Sequence, residues 1–265
     1  MKTVPYWHVD AFASQPFEGN QAAVMVLEEW LDDAILQAIG EENAFAETAF
    51  VVRDATGEAD WELRWFTPTT EVALCGHATL ASGHVLLGRD GGERVTFRTR
   101  QAGQLSLERD GDGYALGLPL IATRPGRFDE AVALLGSEPE EVALNPEGYG
   151  VYRYADEEAV RALSPDLRAL GALGDHQFIC TAPGQDTDVV SRVFVPGSGV
   201  DEDSFTGSAH ACLTHYWTTR LGRDSFTAFQ ASDRGGRATC RREGERAIIS
   251  GKCATVVEGR FYLAG

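Results

Sequence analysis

Lysine is almost absent from this sequence, and its scarcity excludes one group of enzymes. Of the 23 basic residues only Lys2 and Lys252 are lysines, and both lie near the ends of the 265-residue chain. Schiff-base catalysis and pyridoxal phosphate chemistry both require a lysine amine inside an active site. We therefore expect neither chemistry in this protein.

The motifs that hold metals and phosphate-bearing cofactors are also missing. The chain has no HExxH, no paired CxxC, no EF-hand loop, no GxGxxG and no P-loop. Cys212 and His215 stand three residues apart on a predicted helix, but together they offer at most two metal ligands. The sequence therefore predicts a protein that works with no metal and no cofactor.

A long apolar run and an excess of positive charge are lacking as well. No segment is apolar over the length that spans a bilayer. The formal charge of −17 repels the phosphate backbone of nucleic acids. The first residues show no secretion signal, and the five cysteines are odd in number. We expect a cytoplasmic protein with free thiols that binds neither membranes nor nucleic acid.

What the sequence does contain is an internal repeat. Arg64–Pro68 and Arg192–Pro196 both read Arg-x-Phe-x-Pro. The phenylalanine of the first segment follows Phe50 by 16 residues, and that of the second follows Phe178 by 16 residues. A glycine-led helical pattern comes next in each half. The shared order and spacing predict a gene duplication.

The repeat predicts an α+β fold of two pseudo-symmetric domains, each a mostly antiparallel sheet curled around a central helix. The central helices are predicted over 77–87 and 208–221, ending at Gly88 and Gly222. The predicted domains are residues 1–118 and 119–265, and a last strand at about 254–263 either completes the second domain or returns to the first.

Alternating apolar residues predict the strands, and helical periodicity predicts two further helices. The strands are expected at 5–12, 48–53, 62–66, 94–98 and 103–109, the helices at 32–42 and 164–170, and a hairpin turn at 111–113. The acidic segment 138–150, which contains two prolines, is predicted to be a surface loop.

The central helices begin at equivalent glycines, Gly76 and Gly207. A helix N-terminus offers free N–H groups and the positive end of the helix dipole, and glycine lets a ligand approach closely. If the two halves face each other, both helix starts reach one cleft. They then predict a site for a carboxylate and for the charge that develops during proton removal, although ordinary helix caps would look the same.

Glu47 is the candidate general acid/base. Phe45, Ala46 and Ala49 surround it in the sequence, and apolar neighbours raise the pKa of a carboxyl group by desolvation. A raised pKa suits a group that both takes and returns a proton. A solvated glutamate at the edge of a strand is the alternative interpretation.

Cys75 immediately precedes the first helix start, where a thiolate would be stabilised. It is a candidate nucleophile or base. Its counterpart in the repeat is Thr206, so a symmetric mechanism with two thiols is not available. Asp203 stands five residues before Ser208, close enough to line the same cleft.

Taken together, these segments resemble the PhzF-like family of phenazine-biosynthesis isomerases, from about residue 4 to the end. The motifs that carry the resemblance are Val9-Asp10-Ala11-Phe12, Gly19-Asn20, Glu47-Thr48-Ala49-Phe50, Arg64-Trp65-Phe66-Thr67-Pro68, Cys75-Gly76-His77-Ala78, Thr206-Gly207-Ser208-Ala209 and Arg234-Gly235-Gly236. The resemblance implies a diaminopimelate-epimerase-like fold, an active site between the domains and a homodimer.

The resemblance also implies roles for single residues. The family's named enzyme isomerises a dihydro-hydroxyanthranilate, and Glu47 matches the glutamate that moves its proton. The other catalytic positions are matched by His77, Asp203 and Ser208, and the substrate-binding set is Asn20, Cys75, Gly76, Thr206 and Gly207. Ser204 and Phe205 depart from the family pattern after the aspartate, and Phe205 is expected to alter the shape of the pocket.

The function predicted from these features is a cofactor-independent isomerase that transfers a proton on a small carboxylate substrate. Two alternatives remain open. One is a racemase or epimerase in which Cys75 is a base, and the other is a non-catalytic small-molecule binding protein on the same scaffold. The sequence does not specify the substrate.

Overall fold

The computed structural model describes residues 2–263, and the chain divides into two compact units. One unit comprises Met1–Gly117 together with Ser250–Gly265, and the other comprises Leu118–Ile249. The second unit is therefore an insertion in the sequence of the first. The C-terminal strand belongs to the first unit.

Strands account for most of the regular structure. In chain order they are β1 (Lys2–Ala11), β2 (Asn20–Val26), β3 (Glu47–Arg53), β4 (Trp61–Phe66), β5 (Glu71–Val72), β6 (Arg94–Thr99), β7 (Gln104–Asp110), β8 (Gly113–Pro119), β9 (Arg124–Pro125), β10 (Glu141–Leu144), β11 (Tyr149–Arg153), β12 (Gln177–Pro183), β13 (Val189–Val195), β14 (Val200–Glu202), β15 (Ser225–Gln230), β16 (Gly236–Glu243), β17 (Arg246–Gly251) and β18 (Cys253–Leu263). The helices are α1 (Asp33–Asn43), α2 (Gly76–Asp90), α3 (Asp129–Leu135), α4 (Glu157–Arg161), α5 (Leu167–Ala172) and α6 (Gly207–Leu221), with a 3₁₀ turn at Pro196–Ser198.

The first unit is a largely antiparallel sheet with two parallel pairs. Strand β1 pairs antiparallel with both β2 and β18, and β3 pairs antiparallel with β4. The parallel pairs are β2 with β3, joined by α1, and β4 with β6, joined through α2. Parallel neighbours need such a crossover, whereas antiparallel ones need only a turn.

The second unit repeats this plan. Strands β11 and β12 are parallel, β12 and β13 are antiparallel, and β13 and β15 are parallel. Helices α4 and α5 lie in the first crossover and α6 in the second. The predicted α+β class, with a mostly antiparallel sheet and a central helix in each half, is confirmed.

The strand register corrects the predicted alignment of the two halves. Thr48 pairs with Phe66, and Phe178 pairs with Phe194. Phe178 is therefore the counterpart of Thr48 and not of Phe50, so the identical 16-residue spacing misaligned the first strand by two residues. The counterpart of Glu47 becomes Gln177, which opens β12 as Glu47 opens β3.

The Arg-x-Phe-x-Pro equivalence holds, because the two arginines have the same structural role. Arg64 forms two hydrogen bonds of 2.7 Å to Glu71, and Arg192 forms two of 2.8 Å to Glu202. In each unit these bonds join the strand of the arginine, β4 or β13, to the short strand that follows it. Planar guanidinium and carboxylate groups favour this paired geometry.

The central helices are buried on most sides, so they lack the single apolar stripe of a surface helix. In α2 the buried positions run from Gly76 to Leu87 with few gaps, and in α6 from Gly207 to Thr218. Helix α6 ends at Gly222 as predicted, with φ of +64°. Helix α2 passes the predicted end at Gly88, because that glycine is in open space and costs a helix only about 1 kcal/mol.

The predicted loop at 138–150 is wrong in part, since it contains β10 and the start of β11. Two of its four acidic residues are paired rather than simply solvated. Glu141 accepts a hydrogen bond from Tyr216 and pairs with Arg220, and Glu140 pairs with Arg153. These partners stabilise β10, a strand that pairs with both β9 and β11 and that composition alone did not indicate. Among the described residues no helix has the length and apolarity needed to cross a membrane.

Candidate active site

Glu47 and His77 form a close pair in the first unit. Glu47 is the first residue of β3, and His77 is the second residue of α2. Glu47 Oε2 lies 3.1 Å from His77 Nε2, with the two side chains 18% and 5% exposed. The same Oε2 atom is buried and accepts no well-aligned hydrogen bond. It therefore retains lone pairs that can receive a proton.

The other nitrogen of the His77 ring is also engaged. Asn20 Nδ2 lies 3.2 Å from Nδ1, and the Cys75 sulfur lies 3.5 Å from the same atom. Parallel pairing of β2 with β3 places the strand of Asn20 beside that of Glu47. A charged imidazole carries a proton on both nitrogens, so in that state a bond to Asn20 requires the amide to be flipped, with its oxygen toward Nδ1.

The pKa of Glu47 is lowered, which corrects the expectation of a raised value. Burial acts in the predicted direction and raises the pKa, but the positive charge of the close His77 ring, with a contribution from Cys75, outweighs it. Burial lowers the pKa of His77, yet Cys75 and Glu47 raise it well above its ordinary value. Sequence neighbours predicted the desolvation and could not reveal the imidazole 3.1 Å away.

Cys75 is a thiol at neutral pH, so the predicted stabilised thiolate is wrong. Burial and the negative charge of Glu47 raise its pKa to about 11, against the opposing effect of His77. The helix start alone would favour a thiolate, but complete burial of the sulfur dominates. Cys75 is therefore a weak base in this environment.

Gln177 and Ser208 occupy the corresponding corner of the second unit. Gln177 Nε2 lies 3.2 Å from the Ser208 hydroxyl oxygen, and Gln177 Oε1 lies 3.3 Å from it. A cavity of about 70 Å³ borders Gln177, Tyr149 and Gly150. This corner offers neutral hydrogen-bonding groups where the first unit has an acid and an imidazole.

Asp203 and Thr206 are held in a network by Gln230. Thr206 donates its hydroxyl to Asp203 Oδ2 at 2.6 Å, and its backbone N–H donates to Gln230 Oε1 at 3.0 Å. The Gln230 amide in turn donates to the Asp203 carbonyl at 2.7 Å. Gln230 is completely buried, and only its polar character at the end of an alternating strand could have identified it from sequence.

The starts of both central helices lack side-chain caps. Neither Cys75 at α2 nor Thr206 at α6 accepts a hydrogen bond from the first turn. By contrast, Asp156 and Asp166 cap the short helices α4 and α5. Because uncapped N–H groups can bind an anion, Gly76 and Gly207 remain candidates for carboxylate binding.

Phe205 does not present its ring as an exposed pocket wall. It is completely buried and stacks on His210, with ring centroids 4.2 Å apart and planes at 10°. A side-chain atom added at Gly236 would approach Phe205 to 2.5 Å, so the tight packing requires glycine there. The departure from the family pattern fills the interior of the second unit.

Comparison with known proteins identifies the family of this chain. The model of the family described as phenazine biosynthesis-like protein matches residues 9–259. The chain belongs to the phenazine-biosynthesis-like family. An uncharacterized isomerase from Pseudomonas aeruginosa is 47% identical to it over 98% of both chains.

Solved structures agree with this assignment. The crystal structure of a PhzF family protein from Enterococcus faecalis has a TM-score of 0.92 at 41% identity, covering 99% of this chain and 100% of that one. A hydroxyproline epimerase from Agrobacterium vitis shares the fold alone, with a TM-score of 0.64 at 13% identity over 97% and 92% of the two chains. The phenazine-biosynthesis-like protein thus has an epimerase-like fold.

The structure of this phenazine-biosynthesis-like protein gathers the predicted site residues into two groups. Asn20, Glu47, Cys75, Gly76 and His77 are associated with the first unit, and Asp203, Thr206, Gly207 and Ser208 with the second. Joint action of the two groups on one substrate stays a prediction. Gln177 and Gln230 were missed by sequence reasoning.

Proposed function

We propose that this protein is a cofactor-independent isomerase in which Glu47 moves a proton on a small carboxylate substrate. The observation that carries the proposal is the buried Glu47 Oε2 atom, which lies 3.1 Å from His77 and accepts no aligned hydrogen bond. A positioned carboxylate with a free lone pair is suited to general base catalysis. Two relatives are named as uncharacterized isomerases, which supports an isomerase activity.

The lowered pKa of Glu47 restricts the reaction. The carboxylate is ionised and ready at neutral pH, but a weak base removes a proton only from an acidic carbon. We infer that the substrate carries a C–H bond activated by conjugation. The C–H bond breaks, its electron pair enters the conjugated system, and Glu47 gains the proton.

The return step benefits from the same charge. Protonated Glu47 beside a His77 imidazolium is a stronger acid than an isolated carboxyl group, because losing the proton restores the ion pair. The O–H bond then breaks, and a new C–H bond forms at another carbon. Composition and oxidation state are unchanged, so the net reaction is an isomerisation.

We assign the carboxylate of the substrate to the uncapped helix starts. Gly76 and Gly207 leave their N–H groups without side-chain caps, and preorganised donors stabilise negative charge that develops in a transition state. Ser208 and Asp203 are proposed to assist as hydrogen-bonding groups. Asn20 is assigned to positioning His77 in addition to its proposed contact with substrate.

The test is deuterium exchange in D₂O, followed by NMR, on a panel of small conjugated amino and hydroxy carboxylates. Wild-type protein is expected to exchange the activated C–H position of its substrate. Glu47→Gln should bind the same compound and lose exchange at least about 100-fold. Cys75→Ser should retain it, as should the control Glu42→Gln at an exposed position of α1.

The alternatives predict different results. Loss of exchange in Cys75→Ser with retention in Glu47→Gln would favour the racemase or epimerase. Binding without exchange by the wild-type protein would favour the small-molecule binding protein. The thiol pKa of about 11 argues against the first alternative, because almost no thiolate exists at neutral pH.

We also propose, from the family resemblance, that the protein acts as a homodimer. Light scattering coupled to size-exclusion chromatography measures the mass directly. The 28.7 kDa chain is expected to elute with about twice that mass. A single 28.7 kDa species at micromolar concentration would contradict the dimer.

A further inference from the structure

Three different metal-ligating atoms meet beside the start of α2. Glu47, Cys75 and His77 each offer one atom, and these atoms lie within 4.8 Å of one another. His77 Nε2 is 4.0 Å from the Cys75 sulfur and 3.1 Å from Glu47 Oε2. The donors come from two separate elements, which is why no metal-binding motif is visible in the sequence.

The spacing can be compared with that around zinc. Zinc–ligand bonds of about 2.3 Å to sulfur and about 2.0–2.2 Å to nitrogen and oxygen, at tetrahedral angles, separate sulfur from nitrogen by about 3.6 Å and nitrogen from oxygen by about 3.4 Å. The observed separations of 4.0 and 3.1 Å therefore require only small side-chain adjustments.

We propose that Glu47, Cys75 and His77 form a binding site for a soft divalent cation of the zinc class, which blocks the acid/base pair when bound. Thiolate and imidazole ligands select zinc-like cations over magnesium and calcium. Three protein ligands leave a fourth position for water, as in open zinc sites. Glu47 is the most exposed of the three side chains.

Asn20 supplies the outer support that such a site needs. A histidine that binds metal through one ring nitrogen donates its other N–H to a nearby acceptor, which fixes the ring. Asn20 Nδ2 lies 3.2 Å from His77 Nδ1, and with the amide flipped its oxygen accepts that N–H. Nε2 is then free to face the metal together with Glu47 and Cys75.

Metal binding changes the bonds of the site in a balanced way. The Cys75 S–H loses its proton, an imidazolium at His77 loses one as well, and the cation takes both lone pairs and one from Glu47. Protons leave to solvent, and no electron is transferred. Bonds to the cation replace the Glu47–His77 pair, so Glu47 can no longer transfer a proton. Only this inhibition rests on the proposed function, whereas the binding does not.

The test uses Co²⁺ as a probe in chelator-treated full-length protein, with calorimetry of Zn²⁺ as the second measurement. One equivalent of Co²⁺ should produce the ultraviolet charge-transfer absorption of a cobalt–thiolate bond. Cys75→Ser should abolish that absorption, and Cys240→Ser, which alters a buried thiol of the second unit, should keep it. Asn20→Ala should weaken Zn²⁺ binding about 10–100-fold.

Circular dichroism verifies that each variant is folded. If Cys75→Ser does not fold, Glu47→Gln provides a second variant of a proposed metal ligand. Persistence of the absorption in folded Cys75→Ser, or no Zn²⁺ uptake by wild-type protein at micromolar concentration, would overturn the site. Inhibition of deuterium exchange by Zn²⁺ is measured separately. An inactive protein that still binds Co²⁺ through Cys75 would sink the proposed function and leave the metal site standing.

Discussion

The corner at the start of the central helix can be compared between the two units, residue by residue. Glu47 and Gln177 open equivalent strands, and His77 and Ser208 are the second residues of equivalent helices. The first pair approaches to 3.1 Å as acid and imidazole, and the second to 3.2 Å as amide and hydroxyl. Duplication kept the geometry, and the chemistry diverged.

The two units also differ one turn into each central helix. Thr79 donates its hydroxyl to the Cys75 carbonyl at 2.6 Å, and His210 Nδ1 lies 2.8 Å from the Thr206 carbonyl. The same bond to the residue four positions earlier is therefore made by a hydroxyl in one unit and an imidazole in the other. At this helix position the second unit thus contains a buried titratable group, where the first unit has a hydroxyl.

The largest effect is expected when the first corner is given the chemistry of the second. The double variant Glu47→Gln with His77→Ser should keep the fold, because Gln177 and Ser208 already fit the same scaffold. Turnover should fall by at least about 100-fold, since a general acid/base group typically contributes 10²–10⁴-fold. Deuterium exchange measures the loss. Activity above a tenth of wild type would show that these residues do not carry the reaction.

The buried arginines should give the next largest effect. The Arg64 side chain is 3% exposed and binds Glu71 and Asp33. Arg64→Ala should lower the free energy of unfolding by about 3 kcal/mol, because the partly buried carboxylate of Glu71 loses its counter-ion. The Arg127–Asp129 pair is 82% and 75% exposed, so Arg127→Ala should leave the midpoint of urea unfolding nearly unchanged. Equal midpoints in urea for both variants would contradict this.

Arg192→Ala makes the same comparison in the second unit. Arg192 also donates to the carbonyl oxygens of Leu163 and Arg161, at 2.7 and 3.2 Å. Its loss leaves those acceptors without a donor, so we expect a cost of at least about 3 kcal/mol. A smaller cost than for Arg64→Ala would mean that these backbone acceptors find other partners.

His210 should make stability depend on pH. Burial lowers its pKa to about 4, against an opposing backbone hydrogen bond to Thr206. Between about pH 6.5 and 4 the unfolded chain binds a proton that the folded one does not, so stability falls on acidification through this window by up to about 3 kcal/mol. His210→Thr, which copies Thr79, should weaken the dependence of the free energy of unfolding on pH, measured by urea unfolding at several pH values. An unchanged dependence would exclude His210 as its cause.

The smallest effects concern two glycines at equivalent turns. Gly236→Ala places a methyl group 2.5 Å from the Phe205 ring, and such overpacking should cost about 1–3 kcal/mol. Gly103 has φ of +70° and open space around it, so Gly103→Ala should cost about 1 kcal/mol through backbone strain alone. Thermal unfolding ranks the two, and the reverse order would mean that Phe205 can move aside.

Periodicity and caps were enough to predict the fold, because the strands alternate and α6 ends at a left-handed glycine. Motifs were enough to predict the family and to identify Glu47 and His77 as candidate catalytic residues. Register was not predictable, because the two hairpins differ by two residues. The identical 16-residue spacing therefore gave a wrong alignment, in which Gln177 was not the counterpart of Glu47. The pKa shifts of Glu47 and Cys75 also escaped prediction, because they depend on atoms that meet only in the folded chain.

The pairing of β1 with β18 determines when the first unit can be finished on the ribosome. Lys2 faces Leu263 and Ala11 faces Cys253 across the two strands. At 5–20 residues per second, the first strand waits roughly 10–50 seconds for this partner. Until then one edge of β1 has open backbone groups, which can pair with another nascent chain. Polysomes translating this protein are therefore expected to depend on chaperones that shield the N-terminal strand.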